Sequence, residues 1–96
     1  MLIKREVLED IRAGRIDLQF RRWTRPTVRA GGTLKTKLGL LRIGAITDMS
    51  PDAVSEVDAR RAGFKDIADF RRWLGTMKQG ALFQRIEASW GEDAPD

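Results

Sequence analysis

The pattern of apolar and polar positions divides the chain into segments with two different periods. Val7, Leu8 and Ile11 recur at helical spacing. Apolar and polar residues instead alternate over 15–23 and 81–90, as they do in half-buried strands. The resulting order is α-β-β-β-α-α-β, without the βαβ alternation of a parallel sheet. The predicted elements are a helix over 4–13, strands over 15–23, 33–36 and 40–46, helices over 55–63 and 66–75, and a strand over 81–90.

Residues that break or cap regular structure mark the boundaries of these segments. Pro26 removes a backbone donor, so the first strand ends or reaches a sheet edge there, and Gly31-Gly32 marks a turn. Ser55 and Asp66 are placed as N-caps of the two later helices. We therefore expect an α+β fold, a small mixed barrel or sheet with short helices packed against it.

Length and composition limit the class of protein. A chain of 96 residues is long enough for one modest hydrophobic core. It contains no Cys and no His, which excludes disulfides, zinc–thiolate sites and His-dependent catalysis. We expect a single domain over 1–91, followed by an acidic, frayed tail over 92–96. No apolar stretch is long enough to span a membrane and no signal peptide is evident, so we expect a cytoplasmic protein.

Basic residues are concentrated in the first half of the chain. Positions 1–45 carry eleven Lys or Arg and four Asp or Glu, whereas positions 46–96 carry seven and ten. The net charge of +4 therefore combines a strongly positive half with a mildly negative one. Such a positive field favours a polyanion partner, most commonly a nucleic acid, although a solvated surface can have the same composition.

The densest basic cluster surrounds a tryptophan. Residues 21–26, RRWTRP, place three arginines beside Trp23 on the first predicted strand. Guanidinium groups bind phosphate in a bidentate manner, and an indole ring stacks on an unpaired base. The alternative is structural: Trp23 packs at the rim of the core, and the arginines discourage strand pairing at a sheet edge. The predicted nucleic-acid ligands are Arg21, Arg22, Trp23, Arg25, Arg29 and Lys35, with Lys4, Arg5 and Arg42 widening the patch.

Catalytic and metal-binding groups are scarce. Glu87 is the one acidic residue inside the last predicted strand, two residues from Arg85. A partly buried carboxyl can act as a general acid or base, but we favour a cross-strand ion pair between Glu87 and an arginine. The acidic residues over 48–58 lack the spacing of a calcium loop. We therefore expect no metal and no cofactor.

Three stretches of the chain resemble the ASCH family. Residues 11–21, IRAGRIDLQFR, are similar to its opening, where a helix ending I-x-x-G runs into G-x-K-x-x-x-x-R. Gly14 fills the Gly position of that motif and Arg21 fills the Arg position. Residues 59–64, ARRAGF, and 82–87, LFQRIE, are similar to later motifs of the family. The basic cluster around the tryptophan resembles a short bacterial branch of the family.

This resemblance implies a small PUA-like β-barrel with flanking short helices and a cleft beside the first strand, used for RNA or for a modified nucleobase. Some members of the family hydrolyse N4-acetylcytidine with a Lys–Thr–Glu set, and others have been assigned RNase activity. In this chain Ile16 occupies the motif's Lys position, and Asp17 and Gln19 stand where the hydrolases carry Thr. Glu87 is the remaining match and the one catalytic candidate. The resemblance therefore favours binding over catalysis.

We predict an RNA-binding module that contacts phosphates through a basic cleft and stacks a base on Trp23. Single-stranded or looped RNA suits this site, because stacking needs an unpaired base. One alternative is a small enzyme that acts on modified nucleosides or on RNA. A second alternative is a protein-interaction domain whose basic patch meets an acidic partner.

Overall fold

The last strand of the chain lies inside the sheet, between the first strand and the third. The computed structural model describes residues 1–77 and 80–95. Its elements are α1 (Arg5–Arg12), β1 (Leu18–Trp23), β2 (Thr33–Lys35), β3 (Gly39–Asp48), a 3₁₀ turn (Pro51–Ala53), α2 (Glu56–Arg61), α3 (Ile67–Leu74) and β4 (Leu82–Asp93). The strands form one antiparallel sheet in the order β1-β4-β3-β2, open between its two edges over the part of the chain that is described. The predicted α+β class and order of elements are confirmed.

The side chains of β4 alternate between the two faces of the sheet. Strand β4 pairs with β1 so that Phe20 lies opposite Arg85 and Gln19 lies opposite Ile86. Paired residues share a face, so Phe20 and Arg85 belong to one side of the sheet and Gln19 and Ile86 to the other. We name the first side the helix face and the second the loop face. The pairing of β3 with β4 is interrupted between Ile43 and Ile46, where β3 carries the extra residue, and between Leu40 and Leu41, where β4 carries it. Alternation along β4 therefore continues through the first irregularity, up to Trp90.

The helix face carries an aromatic core that α2 and α3 cover. Phe20, Phe70 and Phe83 are buried, and the ring centroid of Phe20 lies 5.3 Å from that of Phe70 and 5.7 Å from that of Phe83. Phe64 meets Phe70 edge-on at 5.5 Å. Trp73, on the apolar stripe of α3, packs against the same cluster, as its spacing predicts. Such stacked and edge-on pairs add to the stability gained from area burial alone.

The loop face is covered by the segment 24–32 and by the first residues of the chain. Val28 and Ile86 are buried at its centre, and Trp23 packs against them. Helix α1 lies beside this cluster and turns its predicted apolar stripe toward the buried Leu41 of β3. The sheet is therefore covered on one side by α2 and α3, and on the other by α1 and irregular chain.

The predicted caps of the two later helices are confirmed. The Ser55 hydroxyl accepts a hydrogen bond from the N–H of Asp58 at 3.1 Å, and the Asp66 carboxylate accepts one from the N–H of Asp69 at 2.8 Å. Gly63 follows α2 with φ +97°, a left-handed conformation that favours glycine. A Cβ at this position would approach the side chain of Ile16 to 2.7 Å, so the glycine also permits the segment before β1 to pack closely against the end of α2.

Two strand boundaries differ from the prediction. Strand β1 begins at Leu18 rather than at residue 15, because the N–H groups of Arg15 and Ile16 donate to the carbonyl of Asp10 and extend the end of α1. Strand β4 continues to Asp93, so the first part of the acidic tail is paired with the start of β3 instead of frayed. Both differences depend on hydrogen bonds to distant or helical residues. The alternation of apolar and polar residues along the chain does not predict such bonds.

A half-buried ion pair links α2 to β4. The Arg85 guanidinium donates to the Asp58 carboxylate at 2.8 Å, and each side chain is 20% exposed. Arg61 lies 3.4 Å from Asp58 and binds Asp17 at 2.9 Å, which extends the network to the start of β1. The hydrogen bond from Arg85 holds the pKa of Asp58 below its usual value, against partial burial, which raises it.

We expect Asp58→Asn to lower the free energy of unfolding by about 1–3 kcal/mol at neutral pH, because hydrogen bonds to a charged group are lost. Folding lowers the pKa of this carboxyl, so its contribution is complete above the unfolded pKa, about 4, and disappears as the pH falls through the folded pKa. Chemical denaturation across this range should show the gap between parent and variant closing below about pH 4. Asp52→Asn, at an exposed carboxylate, is the matched control. A gap that stays constant down to the acid limit would contradict this account.

Candidate nucleic-acid interface

An open cleft of about 480 Å³ lies beside the free edge of β1. The N-terminal segment, α1 and the turn between α2 and α3 form its other walls. Its volume falls within the range of small-ligand sites, and a nucleobase fits a recess of this size. The lining includes the polar residues Lys4, Asp10, Gln19 and Arg21 and the aromatic residues Phe20, Phe64 and Trp73.

Two positions of the ASCH-like motif meet in this cleft. Ile16, at the motif's Lys position, and Arg21, at its Arg position, both belong to the lining. Ile16 is 5% exposed and packs with the apolar stripe of α1. It gives the wall an apolar patch and supplies no base, so the set of groups used by the hydrolases is incomplete at this position.

Arg21 binds backbone carbonyls instead of projecting into solvent. Its guanidinium donates to the carbonyl of Phe20 at 2.8 Å and to that of Leu2 at 3.1 Å. Burial lowers the pKa of Arg21 from its usual value, although a guanidinium still carries its charge at neutral pH. Arg21 therefore positions the N-terminal segment against β1, and only its remaining donors are available to a phosphate.

The polar face predicted for β1 is largely buried. Gln19 is 6% exposed, and its amide donates to the carbonyl of Leu18 at 2.8 Å. Strand β1 pairs with β4 on one side and has no neighbouring strand on its other side among the described residues. Gln19 and Arg21 satisfy backbone carbonyls of this edge strand. Alternation correctly predicted that these residues share one face of β1. It did not predict that the start of the chain covers this face.

Trp23 has a clear structural role. Its indole N–H donates to the Gln84 side chain at 2.8 Å, and the Gln84 amide donates to Asp48 at 2.7 Å. The ring is half-buried against the cluster around Val28 on the loop face. The rim-packing interpretation is therefore confirmed. Stacking of a base on the exposed part of the ring stays a prediction.

The predicted nucleic-acid ligands do not share one surface. Arg42 lies opposite Ser89 of β4 and Thr33 of β2, which places it on the helix face, beyond the helices. Lys35 is two residues from Thr33 and shares that face, whereas Trp23 belongs to the loop face. Which face each residue belongs to follows from the register between strands. This register cannot be deduced from the spacing of residues along the chain.

Four of the five arginines in the second half pair with carboxylates of the same half. Arg60 pairs with Glu56, Arg72 with Asp69, and Arg85 with Asp58. In the first half, Arg5 pairs with Glu9, and Arg12 and Arg15 are also paired. The remaining basic residues of the first half make no ion pair within the structure as described. They are Lys4, Arg21, Arg22, Arg25, Arg29, Lys35, Lys37 and Arg42.

Glu87 lies outside the cleft. It is 3.6 Å from Arg85 on the same strand and borders a separate depression with Asp17 and Arg61. The predicted ion pair thus exists, but between residues two apart on one strand rather than across strands, because both side chains point to the helix face. Within residues 1–77 and 80–95, no three acidic side chains are grouped to hold a metal ion, and no helix is long and apolar enough to cross a membrane.

Several lining residues of the cleft carried no functional signal in the sequence. Asp10 lies on the polar face of α1, where it pairs with Arg15 at 2.7 Å. Phe64 and Trp73 follow the helical pattern of a core and stand 5.2 Å apart, ring centroid to ring centroid. Only the fold brings residues from α1, the α2–α3 turn and α3 to the same recess as β1.

Comparisons of the chain with protein-family models, with curated proteins and with solved structures find no match. The resemblance to the ASCH family therefore rests on the motif residues, of which Ile16 and Arg21 meet in the cleft. The functional argument depends on the geometry and charge of this chain alone.

We expect Trp23→Ala to lower the free energy of unfolding by about 2–4 kcal/mol, because it removes a half-buried ring and leaves the Gln84 oxygen without its donor. Trp23→Phe keeps an aromatic ring and removes the N–H, so it should cost about 1 kcal/mol. Urea denaturation of the two variants and the parent measures both values. An alanine variant as stable as the parent would show that the ring does not support the core.

Proposed function

We propose that this chain is a cytoplasmic RNA-binding module of the ASCH type, with a PUA-like arrangement of its sheet and helices. Cations without internal partners contact the phosphates of single-stranded or looped RNA. One base stacks on the exposed part of Trp23, and another enters the cleft beside β1.

The distribution of ion pairs is the observation that carries this proposal. Four of the five arginines in the second half of the chain pair with a carboxylate, whereas eight of the eleven basic residues in the first half have no carboxylate partner in the described structure. An excess of unpaired cations causes mutual repulsion and creates a positive field, even though these cations belong to both faces of the sheet. A phosphate backbone relieves that repulsion and releases counterions on binding, which is the main source of affinity for nucleic acids.

The segment that follows β1 combines charge with an aromatic ring. Arg25 and Arg29 are exposed on this segment, which begins directly after Trp23. Guanidinium groups match phosphate geometry, and an adjacent ring offers a stacking surface that tolerates any base. This combination favours a single strand over a duplex, because a base in a duplex is already stacked and paired.

The cleft supports a second candidate function, an enzyme that acts on a modified nucleoside or on RNA. Its volume suits a nucleoside, and the motif positions Ile16 and Arg21 line it. The carboxylate within the cleft is Asp10, which is already paired with Arg15, and Glu87 lies in a different depression. Binding without turnover is therefore the better-supported function.

Fluorescence anisotropy with labelled single-stranded RNA tests the binding proposal. We expect binding at micromolar concentration or tighter in about 50 mM salt and a steep loss by about 200 mM. Arg25→Gln/Arg29→Gln should weaken binding about tenfold and reduce the salt slope by about 1.4, since each phosphate contact to a single strand contributes roughly 0.7. Matched duplex RNA should bind more weakly than the single strand.

The control variant Arg60→Gln/Arg71→Gln removes the same charge from exposed positions on α2 and α3. It should retain the affinity of the parent within about twofold. An equal loss in both double variants would show that net charge alone attracts the RNA. No binding of any nucleic acid by the folded parent would overturn the proposal and favour an acidic protein partner.

The catalytic alternative has its own test. We expect no turnover when the purified protein is incubated with N4-acetylcytidine or with single-stranded RNA, because neither Asp10 nor Glu87 is a carboxylate free of an arginine partner. Chromatography of the nucleoside and gel analysis of the RNA measure product. Product that disappears in Asp10→Asn or Glu87→Gln would establish an enzyme and assign its acid–base residue.

A further inference from the structure

A second depression adjoins the cleft on the other side of the N-terminal segment. Its volume is about 310 Å³, and Leu2 and Ile3 line both recesses. These two residues therefore form a low wall, with the cleft beside β1 on one side and the turn between β2 and β3 on the other. The backbone of the wall is held by the hydrogen bond from Arg21 to the carbonyl of Leu2 at 3.1 Å.

Two lysines border the second depression. Lys35 and Lys37 flank Thr36, and all three residues line the recess. Both lysine side chains are exposed, and neither makes an ion pair in the described part of the chain. Their Cα atoms are two residues apart and so at most roughly 7 Å from each other. Lys4 lines the cleft on the opposite side of the wall, so cations stand on both sides of it.

Hydrogen bonds of Thr36 hold the turn that carries the two lysines. The Thr36 hydroxyl donates to the carbonyl of Gly39 at 2.6 Å and accepts from the N–H groups of Leu38 and Gly39 at 3.3 and 3.1 Å. A Cβ on Gly39 would collide with the backbone of β4 and with the Trp90 ring, so the turn lies close against that strand. A fixed backbone reduces the entropy lost when the lysines bind a ligand.

Among the described residues, the lining of the recess contains no acidic residue. Glu92 and Asp93 border a separate depression that also includes Lys35. Asp93 is held by Arg12 and accepts a hydrogen bond from the indole N–H of Trp90 at 2.9 Å. On the side of the wall, the neighbours of the lysines are apolar, with Met1 and Leu8 completing the lining. An anion in this recess meets positive charge without a facing carboxylate among its lining residues.

We infer that the ligand of the cleft is an RNA oligonucleotide rather than a free nucleoside, and that Lys35 and Lys37 form its phosphate subsite. The inference rests on the proposed function. A base occupies the cleft beside β1, the sugar–phosphate chain crosses the wall formed by Leu2 and Ile3, and the following phosphates meet the two lysines. The apolar side chains of the wall contact sugar, and Lys4 contacts the phosphate on the side of the cleft.

Two probes separate the subsite from the cleft. The first is a short fluorescein-labelled single-stranded RNA, measured by anisotropy at several salt concentrations. The second is free cytidine and free adenosine, followed through the NMR signal of the indole N–H of Trp73, a residue that lines the cleft. We expect Lys35→Gln/Lys37→Gln to weaken RNA binding about tenfold and to lower the salt slope by about 1.4, two contacts at roughly 0.7 each. The weak shifts caused by the nucleosides should not change.

Arg60→Gln/Arg71→Gln again serves as the matched control, since it removes equal charge from exposed helical positions outside both recesses. A lysine variant that binds RNA with the affinity and salt slope of the parent would overturn the subsite while leaving the proposed function intact. Nucleosides that saturate the cleft as tightly as the oligonucleotide would overturn the choice of ligand. A folded parent that binds no RNA would overturn the proposed function and the subsite together.

Discussion

The pairing of β4 between β1 and β3 is the constraint on which the rest of the structure depends. This strand joins the two halves of the chain, and its alternating side chains supply both cores. Phe83 packs beneath the helices, whereas Ile86 packs beneath the segment 24–32. Because β4 comes last, its pairing with β1 closes most of the chain into a loop and lowers the conformational entropy of the chain. Packing on both faces of the sheet offsets this loss. The pairing of this strand therefore determines where each candidate ligand-binding residue lies.

The central position of β4 leaves β1 at the edge of the sheet, and this explains where the cleft lies. An uncovered edge strand offers backbone groups to which another chain can add. Here Gln19 and Arg21 turn back onto carbonyls of the strand itself, and Arg21 also holds the N-terminal segment alongside. Addition of a further strand is thereby opposed, while a recess remains between β1 and the α2–α3 turn. Polar groups buried in this way are tolerated because their partners are on the backbone.

The fold was largely predictable from the sequence, and the candidate site only in part, for one physical reason. Periodicity and capping are local, so the elements and the caps at Ser55 and Asp66 follow from neighbouring residues. The register between strands and the covering of each sheet face by other segments are not local, because they depend on residues far apart in the sequence. The separation of Trp23 from Arg42 depends on which residues lie opposite each other across strands, and the extension of β4 to Asp93 depends on pairing with β3. The cleft joins residues from four parts of the chain, which no spacing rule connects.

Charge and shape would contribute differently to the proposed recognition of RNA. Exposed charges farther apart than about 8 Å are largely screened at physiological ionic strength, so cations close to the bound strand determine affinity. Lys4, Lys35 and Lys37 border the two recesses, whereas Arg42 borders neither and would contribute mainly to the long-range attraction of the RNA. The cleft itself has few free polar groups, because those of Arg21 are partly bound to the backbone. Base-edge hydrogen bonds carry sequence specificity, and stacking and phosphate contacts do not. A site built mainly from the latter two therefore accepts many sequences and distinguishes its ligand by the exposure of its bases.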